Sequence, residues 1–401
     1  MISKRELFFR HLAQTSPAPL ALEIEKAEGV FLYTPEGKKI IDLISGVSVN
    51  NVGHRHPAVV RAVTSQMERY MHLMVYGEII QSPQVLLARK LTGHLPAHLN
   101  KVYLVNSGSE ANEGALKLAK KATGRSGIIC FENAYHGSTH GCLSVIGGDA
   151  YQQGYGLMLE DVKRQKFNDM ESVTSITRNT ACVILEVIQG EGGIIAGRPG
   201  FLKAIRERCS ETGALLIIDE VQTGFGRTGK MFAFEQYGIV PDILTLAKGM
   251  GGGMPIGAFI ASDETMAVIQ DNPPLGHITT FGGHPVSAAA ALASLEIIEE
   301  PGFLEAIPAK GERFVRGLSG HPAIRAIRQH GLMLACELVS GIRVQDFIIR
   351  GLENGILSDW FLFCDHAFRI APPLTIDQQE IDEAIQLIIK TLDGLSLSND
   401  K

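Results

Sequence analysis

The sequence predicts an α/β fold, with a mostly parallel, doubly wound sheet and a second, smaller α+β domain. Two observations carry this prediction. Through the middle of the chain, short apolar runs without polar alternation are separated by stretches of helical pattern. Such runs are typical of strands buried on both faces, and their alternation with helices is typical of parallel strands joined by crossovers. The two flanks of the chain lack this alternation.

Six apolar runs predict the strands of the large sheet, and most are separated by helical patterns such as 110–122 and 200–211. The last two runs are joined by a glycine-rich turn without a helix, which predicts an antiparallel pair in an otherwise parallel sheet. The six predicted strands are 102–106, 127–132, 182–187, 215–219, 243–248 and 257–262.

The flanks predict the smaller domain. Residues 28–42 have the pattern of a hairpin around Pro35-Glu36-Gly37. An alanine-rich helix begins at Pro285, and an amphipathic helix over 375–392 is capped by Thr375 or Asp377. The predicted organisation is an N-terminal segment 1–50 that contributes to the small domain, a large domain 51–284 and a C-terminal small domain 285–401.

Composition excludes several classes of protein. The chain has 401 residues, 45% of them hydrophobic, so intrinsic disorder is excluded. Its net charge of −6, without a basic run, argues against nucleic-acid binding. No apolar stretch is long enough to cross a bilayer, and the first residues lack the apolar core of a signal peptide. The six cysteines form no C-x-x-C pair, so we expect reduced thiols in a cytoplasmic protein.

Polar residues follow the predicted strands at the edge of the sheet where ligands bind. Ser107-Gly108-Ser109 lies between a strand and a helix, where free N–H groups suit a phosphate, although simple capping of the helix explains the serines equally well. Asp219 and Lys248 each end a buried strand. Burial would lower the pKa of the Lys248 amine. The small residues that follow Lys248 would let a ligand approach the backbone closely. The alternative is a lysine whose side chain extends past the sheet to the surface. Together these groups suggest pyridoxal phosphate.

Several motifs in order make the chain resemble the class III aminotransferases, the ornithine, acetylornithine and 4-aminobutyrate type of pyridoxal-phosphate fold type I. The resemblance covers nearly the whole chain, and a set of motifs is far more specific than any one of them. The motifs are NSGSEANEGALKLA (106–119), AYHG (134–137), QGEGG (189–193), IIDEVQTGFGRTGK (217–230), LAKGMGGGMPIGA (246–258) and TTFGGHPVSAAA (279–290).

The resemblance implies a seven-stranded type of sheet and a set of cofactor contacts. Lys248 would form the Schiff base and move the proton, and Asp219 would pair with the pyridine nitrogen. Gln222 would hydrogen-bond near the phenolic oxygen, and Tyr135 would stack on the ring. The other implied cofactor contacts are Ser107, Gly108, Ser109, His136, Glu186 and Thr280.

The resemblance also implies how substrate is bound and that the protein is a homodimer. Thr280 is similar to the threonine that reaches the partner subunit's phosphate, so the active site would be shared. Glu191 resembles the glutamate that pairs with an active-site arginine, here Arg369, and that arginine would bind a substrate carboxylate once released. Tyr76 and Ser138 would line the substrate pocket.

Three positions depart from the motifs of this family. Ser138 stands where most members carry an arginine as a second carboxylate clamp, which puts binding of the distal carboxylate of 2-oxoglutarate in doubt. Val187 replaces a proline and His284 replaces an asparagine. These two differences weaken the assignment of the chain to any one subfamily. A different pyridoxal-phosphate reaction, that of an aminomutase, racemase or lyase, therefore remains the alternative.

Two other motifs have the patterns of different sites. Residues 224–230, GFGRTGK, match a phosphate-binding loop, but Met231 replaces the Ser or Thr that holds Mg²⁺. Cys130, His136, His140 and Cys142 could form a zinc cluster, but glycines interrupt the helix that this would need. No metal site is expected.

The sequence thus predicts a pyridoxal-phosphate aminotransferase that moves an amino group to a 2-oxo acid by a ping-pong mechanism. In the preferred interpretation, this is an ω-amino group.

Overall fold

A seven-stranded sheet forms the centre of the molecule. The structure, a computed structural model, describes residues 2–395. Six strands of this sheet run parallel to one another, and Gly257–Ala261 is antiparallel to both of its neighbours. The spatial order of the strands is Lys101–Val105, Gly257–Ala261, Ile243–Leu246, Leu215–Asp219, Thr180–Leu185, Gly127–Phe131 and Val162–Gln165.

The helices lie on both faces of this sheet and in the flanking domain. Three short 3₁₀ helices cover Asp149–Gln152, Ala233–Tyr237 and Lys248–Gly251. The α-helices are Lys4–His11, Ser45–Ser48, Pro57–Arg69, Ser82–Gly93, Gly108–Thr123, His140–Ser144, Glu171–Thr174, Pro199–Thr212, Asp263–Ala267, Pro285–Ile298, Ile307–Leu318, Val344–Asn354 and Gln378–Asp393.

The described residues also form three smaller sheets. One has the order Lys26–Glu28, Phe31–Tyr33, Lys39–Asp42 and Ile356–Leu357, and its last pair is parallel. A second has the order Ile324–His330, Met333–Leu338, Cys364–Ile370 and Trp360–Phe361. A two-stranded sheet pairs Ile188–Gln189 with Ile195–Ala196.

The predicted α/β class and its central elements are confirmed. All six predicted strands exist with ends within two residues, and the antiparallel pair joined by the glycine-rich turn is present. The hairpin around Pro35 is present, and Asp377, not Thr375, caps the last helix by accepting a hydrogen bond from the N–H of Glu380. The edge strand Val162–Gln165 was missed, because its residues are mostly half-buried and polar and therefore lack the apolar pattern of its neighbours.

Within the described part of the chain, three hydrophobic cores hold these elements together. Alternate residues of the central strands face either a large core or the core beneath the helix Gly108–Thr123, so the sheet is covered on both faces. A separate core joins Val30 and Ile41 to the C-terminal helices and strands. This core supports the prediction that the N-terminal segment belongs with the small domain.

The helix Pro285–Ile298 is built into the large domain. Its alanines Ala288, Ala290 and Ala291 are buried in the large core, where small side chains allow close approach of Pro57–Arg69 and Ser82–Gly93. The predicted boundary at residue 285 falls before this helix. Because the helix shares the large core, we propose a boundary after Ile298.

The central sheet places the carboxyl ends of several parallel strands at one edge. Leu215–Asp219 ends in Asp219, and Ile243–Leu246 is followed by Ala247 and Lys248.

Within residues 2–395, no helix is both long enough and apolar enough to span a bilayer.

Candidate active site

A cavity of about 430 Å³ lies at the carboxyl ends of the parallel strands. This is the edge at which the sequence predicted a ligand. Ten of the residues singled out from the sequence line it: Ser107, Gly108, Ser109, Tyr135, His136, Glu186, Glu191, Asp219, Gln222 and Lys248.

Lys248 reaches this cavity from an unusual backbone conformation. Its φ is +46°, in the left-handed region that non-glycine residues rarely adopt. Burial lowers the pKa of its amine, whereas the carboxylates of Glu191 and Asp219 act in the opposite direction. A lowered pKa leaves a larger share of the amine neutral, which is the form that attacks a carbonyl carbon and accepts a proton.

Asp219 is held by three donors. Its Oδ2 accepts hydrogen bonds from Asn112 Nδ2 and His136 Nδ1, both at 2.8 Å, and its Oδ1 accepts one from the N–H of Val221 at 2.9 Å. These contacts fix the orientation of a carboxylate that is almost completely buried. An anion held in this way is suited to pair with a cationic group in the cavity.

Asn112 is a functional residue that the sequence reasoning missed. Besides Asp219, its amide donates to the carbonyl of His136 at 2.8 Å and accepts from Thr245 Oγ1 at 2.7 Å. It therefore ties Asp219 to two neighbouring segments. A signal was present, since Asn112 lies inside the motif 106–119, one helical turn after Gly108 and on the same face of the helix.

The first turn of the helix Gly108–Thr123 forms an anion site at the cavity wall. Ser107 caps this helix by accepting a hydrogen bond from the N–H of Glu110, which leaves the N–H groups of Gly108 and Ser109 for a ligand. A Cβ on Gly108 would lie 2.8 Å from Val221, so this turn has no room for a side chain. The dipole of the helix adds to the attraction of an anion such as a phosphate.

Glu191 and Arg369 form a buried ion pair behind this cavity. Arg369 Nη2 lies 2.8 Å and 3.0 Å from the two carboxylate oxygens of Glu191, and Arg369 Nε lies 2.9 Å from Asp359 Oδ1. Glu191 lines the cavity, whereas Arg369 lies behind it. The Nη1 of Arg369 is buried and has no partner among residues 2–395, so it retains the donor that a second carboxylate would need.

Glu186 follows the carboxyl end of its strand and lines the cavity. It accepts hydrogen bonds from the N–H groups of Tyr135 at 3.2 Å and Gly190 at 3.0 Å. Burial raises its pKa to about 7, and the nearby Asp219 acts in the same direction. Glu186 therefore anchors the two loops that carry Tyr135 and Glu191.

Four of the predicted site residues lie outside this cavity. Arg369 lies behind Glu191, and Ser138 lines an adjoining cavity, where its Oγ is 3.1 Å from the hydroxyl of Tyr135. Tyr76 lines a separate groove that also includes Thr279. Thr280 is exposed on the surface next to that groove.

An arginine of the segment 224–230 has a structural role. Arg227, in the segment 224–230, is fully buried and donates to the carbonyls of Leu332 and Pro372 and to Asn51 Oδ1, so it joins the large domain to the small one. Among residues 2–395, no group of three or more His, Cys, Asp or Glu side chains is arranged to hold a metal ion.

Glu220, next to Asp219, gives the fold a pH-dependent stability. It is fully buried, accepts hydrogen bonds from Thr223 and from the N–H of Phe234, and burial raises its pKa from 4.5 to about 7. The folded chain therefore keeps a proton that the unfolded chain releases. This stabilisation is complete below about pH 4.5 and is lost as the pH rises to about 7, by up to about 3 kcal/mol.

We expect Glu220→Gln to remove that loss, because a neutral amide can still accept from Phe234. The measurement is the denaturant midpoint of the holoenzyme at about pH 4.5 and above about pH 7, at one protein concentration. The exposed Glu68→Gln is the matched control. A Glu220→Gln variant that loses as much stability with pH as the unaltered chain would contradict this account.

The cavity fits pyridoxal phosphate. A cavity of about 430 Å³ is of ligand size. It offers a buried amine for an aldehyde, a fixed carboxylate for a ring nitrogen and a helix N-terminus for a phosphate. Two buried polar atoms, His136 Nε2 and Gln222 Oε1, have no partner among the described residues, which leaves hydrogen-bonding capacity for a polar ligand.

Comparison with known proteins agrees with this geometry. Residues 12–392 match the family model described as aminotransferase class-III. The acetylornithine aminotransferase of Caldanaerobacter subterraneus subsp. tengcongensis is 41% identical over 376 residues, covering 90% of this chain and 92% of that protein. That of Bacillus subtilis is 39% identical, covering 91% and 93%.

Solved structures show the same fold. An ornithine aminotransferase from Toxoplasma gondii, described with pyridoxal phosphate partly occupying its active site, superimposes with a TM-score of 0.89 at 30% identity, covering 96% of this chain and 93% of that one. An (S)-enantioselective omega-transaminase from Thermomicrobium roseum gives 0.87 at 29% identity, covering 98% and 99%. Pyridoxal phosphate is the cofactor of these enzymes, and this chain belongs to the class-III aminotransferase family.

Proposed function

We propose that this chain transfers an ω-amino group, of the kind carried by ornithine, N-acetylornithine or 4-aminobutyrate, to a 2-oxo acid by a ping-pong mechanism. The observation that carries the proposal is the meeting of Lys248, Asp219 and the first turn of Gly108–Thr123 around one cavity. The names of the relatives support this class of amino donor.

The residues divide the work between them. When bound, pyridoxal phosphate supplies an aldehyde for the amino group and a ring that accepts the electrons released as the substrate's C–H bond breaks. We assign the movement of that proton to Lys248 Nζ, and the pairing with the ring nitrogen to Asp219. Gly108 and Ser109 bind the phosphate through their N–H groups, and Tyr135 and Gln222 position the ring.

Arg369 is proposed to bind the carboxylate next to the reacting carbon. Its Nη2 contacts both carboxylate oxygens of Glu191, and its Nη1 has no partner among the described residues, so the guanidinium can bind a carboxylate that displaces Glu191. Arg369→Lys keeps the charge but loses the planar fork. We expect kcat/KM for glutamate to fall by about 100-fold, whereas 3-phenylpropylamine, which has no carboxylate, should be affected much less.

The measurement for Arg369→Lys is the ratio of kcat/KM for glutamate to kcat/KM for 3-phenylpropylamine in one preparation. Because a general loss of folded protein lowers both values equally, it does not change this ratio. Arg328→Lys, in the same sheet but two strands away and outside the cavity, is the matched control. Equal losses for glutamate and the amine in Arg369→Lys would remove Arg369 from substrate binding.

We propose a homodimer with shared active sites. Thr280 and Tyr76 lie on the face that carries exposed apolar side chains such as Met71, Ile80 and Phe281, and not in the cavity of their own chain. That position suits contact with the site of a partner subunit. Location in the cytoplasm remains a prediction of the sequence.

A mixing experiment tests the shared site. Thr280→Glu should place a negative charge against the phosphate of the partner's site and abolish its activity. Lys248→Ala inactivates the site of its own chain. Dimers that contain one chain of each variant should recover one working site. In that site, one chain supplies the intact Lys248 and its partner supplies the intact Thr280. Absence of recovery, with heterodimer formation verified by mass, would place Thr280 at the site of its own chain.

The half-reaction tests the proposed function as a whole. The absorbance of the protein loaded with pyridoxal phosphate should change to that of the amine form of the cofactor when a suitable amino donor is added. Ornithine, N-acetylornithine, 4-aminobutyrate, β-alanine and glutamate are added separately, together with 3-phenylpropylamine. A protein that binds the cofactor but responds to none of them is not an aminotransferase of this kind.

A further inference from the structure

Thr245 is the one polar residue in the buried strand Ile243–Leu246. It is fully buried in the central sheet and is paired in register with Asp219 on the neighbouring strand. A buried hydroxyl is costly unless it is hydrogen-bonded, and valine would give a strand the same side-chain shape without that cost. The Thr245 hydroxyl donates to Asn112 Oδ1 at 2.7 Å. This contact accounts for a threonine in an otherwise apolar strand.

The partners of the Asn112 amide determine which way it points. Both hydrogens of Asn112 Nδ2 are used, one by the carbonyl of His136 and one by Asp219 Oδ2, each at 2.8 Å. A reversed amide would place Oδ1 against these two acceptors, one of which is an anion. The orientation that serves Asp219 therefore directs Oδ1 into the protein, where the Thr245 hydroxyl is its donor.

Asn112 also connects two parts of the site. It lies one helical turn after Gly108, in the helix whose first turn forms the anion site. Its hydrogen bond to Asp219 holds the carboxylate in place relative to that turn. Pyridoxal phosphate carries its phosphate group and its nitrogen on one rigid ring, so the anion site and the carboxylate have to keep their spacing.

We propose that Thr245 is a positioning residue for the pairing of Asp219 with the ring nitrogen. This inference rests on the proposed function and deepens it. Thr245 lies outside the lining of the cavity and acts through Asn112. Without the hydroxyl, Asn112 Oδ1 is buried without a donor, and a rotation of the amide towards a new partner takes a donor away from Asp219.

Thr245→Val keeps the shape of the side chain, removes the hydroxyl and tests this role by cofactor binding. The two probes are pyridoxal phosphate and its 1-deaza analogue, in which a C–H group replaces the ring nitrogen. Each is added to the full-length protein freed of cofactor. We expect the Kd for pyridoxal phosphate to rise by about 10-fold and the Kd for the analogue to change by less than about 2-fold. Equal weakening of both probes, or no change in either Kd, would overturn the proposal.

Two further variants separate the hydroxyl from packing. Thr245→Ser should restore the binding of pyridoxal phosphate, because serine supplies the same donor. Thr391→Val is the matched control, since Thr391 is also fully buried and its hydroxyl donates to the carbonyl of Leu387 at 2.7 Å. It should leave the ratio of the two Kd values unchanged. A Thr245→Ser variant that binds the two probes as Thr245→Val does would contradict a role for the hydroxyl.

A double-mutant cycle tests the route through Asn112. Thr245→Val alone should lower kcat by about 10-fold, but in the Asn112→Ala background it should change kcat by less than about 2-fold. Equal effects in both backgrounds would show that Thr245 acts by another route. Asn112→Ala alone should give the same selective rise in the Kd for pyridoxal phosphate, which keeps the test independent of how well Thr245→Val folds.

The two proposals fail differently. If the unaltered protein binds pyridoxal phosphate but no donor converts it to the amine form, the proposed function is wrong. If transamination proceeds but the variants do not distinguish the two probes, only the role of Thr245 is wrong.

Discussion

Lys248→Ala is expected to reduce transamination by about 10⁴-fold or more while leaving the fold and the phosphate site in place. The amine of Lys248 is the buried base that lines the cavity, and its lowered pKa suits it to take and return a proton. In the proposed function Lys248 is both the attachment point for the cofactor and the proton carrier, and alanine would remove both roles.

The readout of this experiment is single-turnover kinetics together with the bound cofactor content. Lys230→Ala is the control, because Lys230 is exposed and belongs to the segment 224–230 that resembles a nucleotide-binding loop. Addition of a small primary amine should restore part of the lost rate in Lys248→Ala if proton transfer is what was removed. Near-normal turnover in Lys248→Ala would refute the assignment of this cavity as the active site.

Asp219→Asn is expected to cost about 10³-fold in kcat with the cofactor still bound. The carboxylate lies at the end of a buried strand, fixed by Asn112, His136 and the N–H of Val221. An amide cannot supply the negative charge that keeps a proton on the ring nitrogen, which is the position from which electrons are withdrawn. One amide oxygen can still accept from Asn112, so the local structure should survive.

Asp242→Asn is the matched control for Asp219→Asn. Asp242 accepts hydrogen bonds from the N–H of Leu216 and from Arg206 at the opposite end of the same sheet. The Asp242→Asn variant should be less stable than the unaltered protein but should keep its kcat. A similar fall in kcat for both variants would mean that Asp219 acts only through the fold.

Much of the fold could be predicted because local signals agree with the tertiary structure. The runs that form Leu215–Asp219 and Ile243–Leu246 are apolar throughout, as strands buried on both faces must be. Val162–Gln165 is an edge strand with mixed polarity, so no local pattern distinguishes it from a loop. Pro285–Ile298 was predicted as a helix, but which core it joins depends on long-range packing.

The site was predictable where residues follow strands directly. Lys248 and Asp219 were placed at one edge because the carboxyl ends of parallel strands meet there. Asn112 was not singled out, since its role depends on the distance between a helix face and a neighbouring strand. The adjoining cavity that Ser138 lines could not be predicted from the sequence either, because its wall combines Phe8, Tyr155 and Trp360 from distant parts of the chain.

The most direct test of the account is the visible absorbance of the purified protein loaded with pyridoxal phosphate, followed as amino donors are added one at a time. We predict an absorbance band of the bound aldehyde form, its loss on addition of at least one donor, and its return when a 2-oxo acid is added. A protein that shows no bound cofactor after addition of pyridoxal phosphate, or whose band no donor alters, would contradict the claim that the cavity around Lys248 is the active site of an aminotransferase.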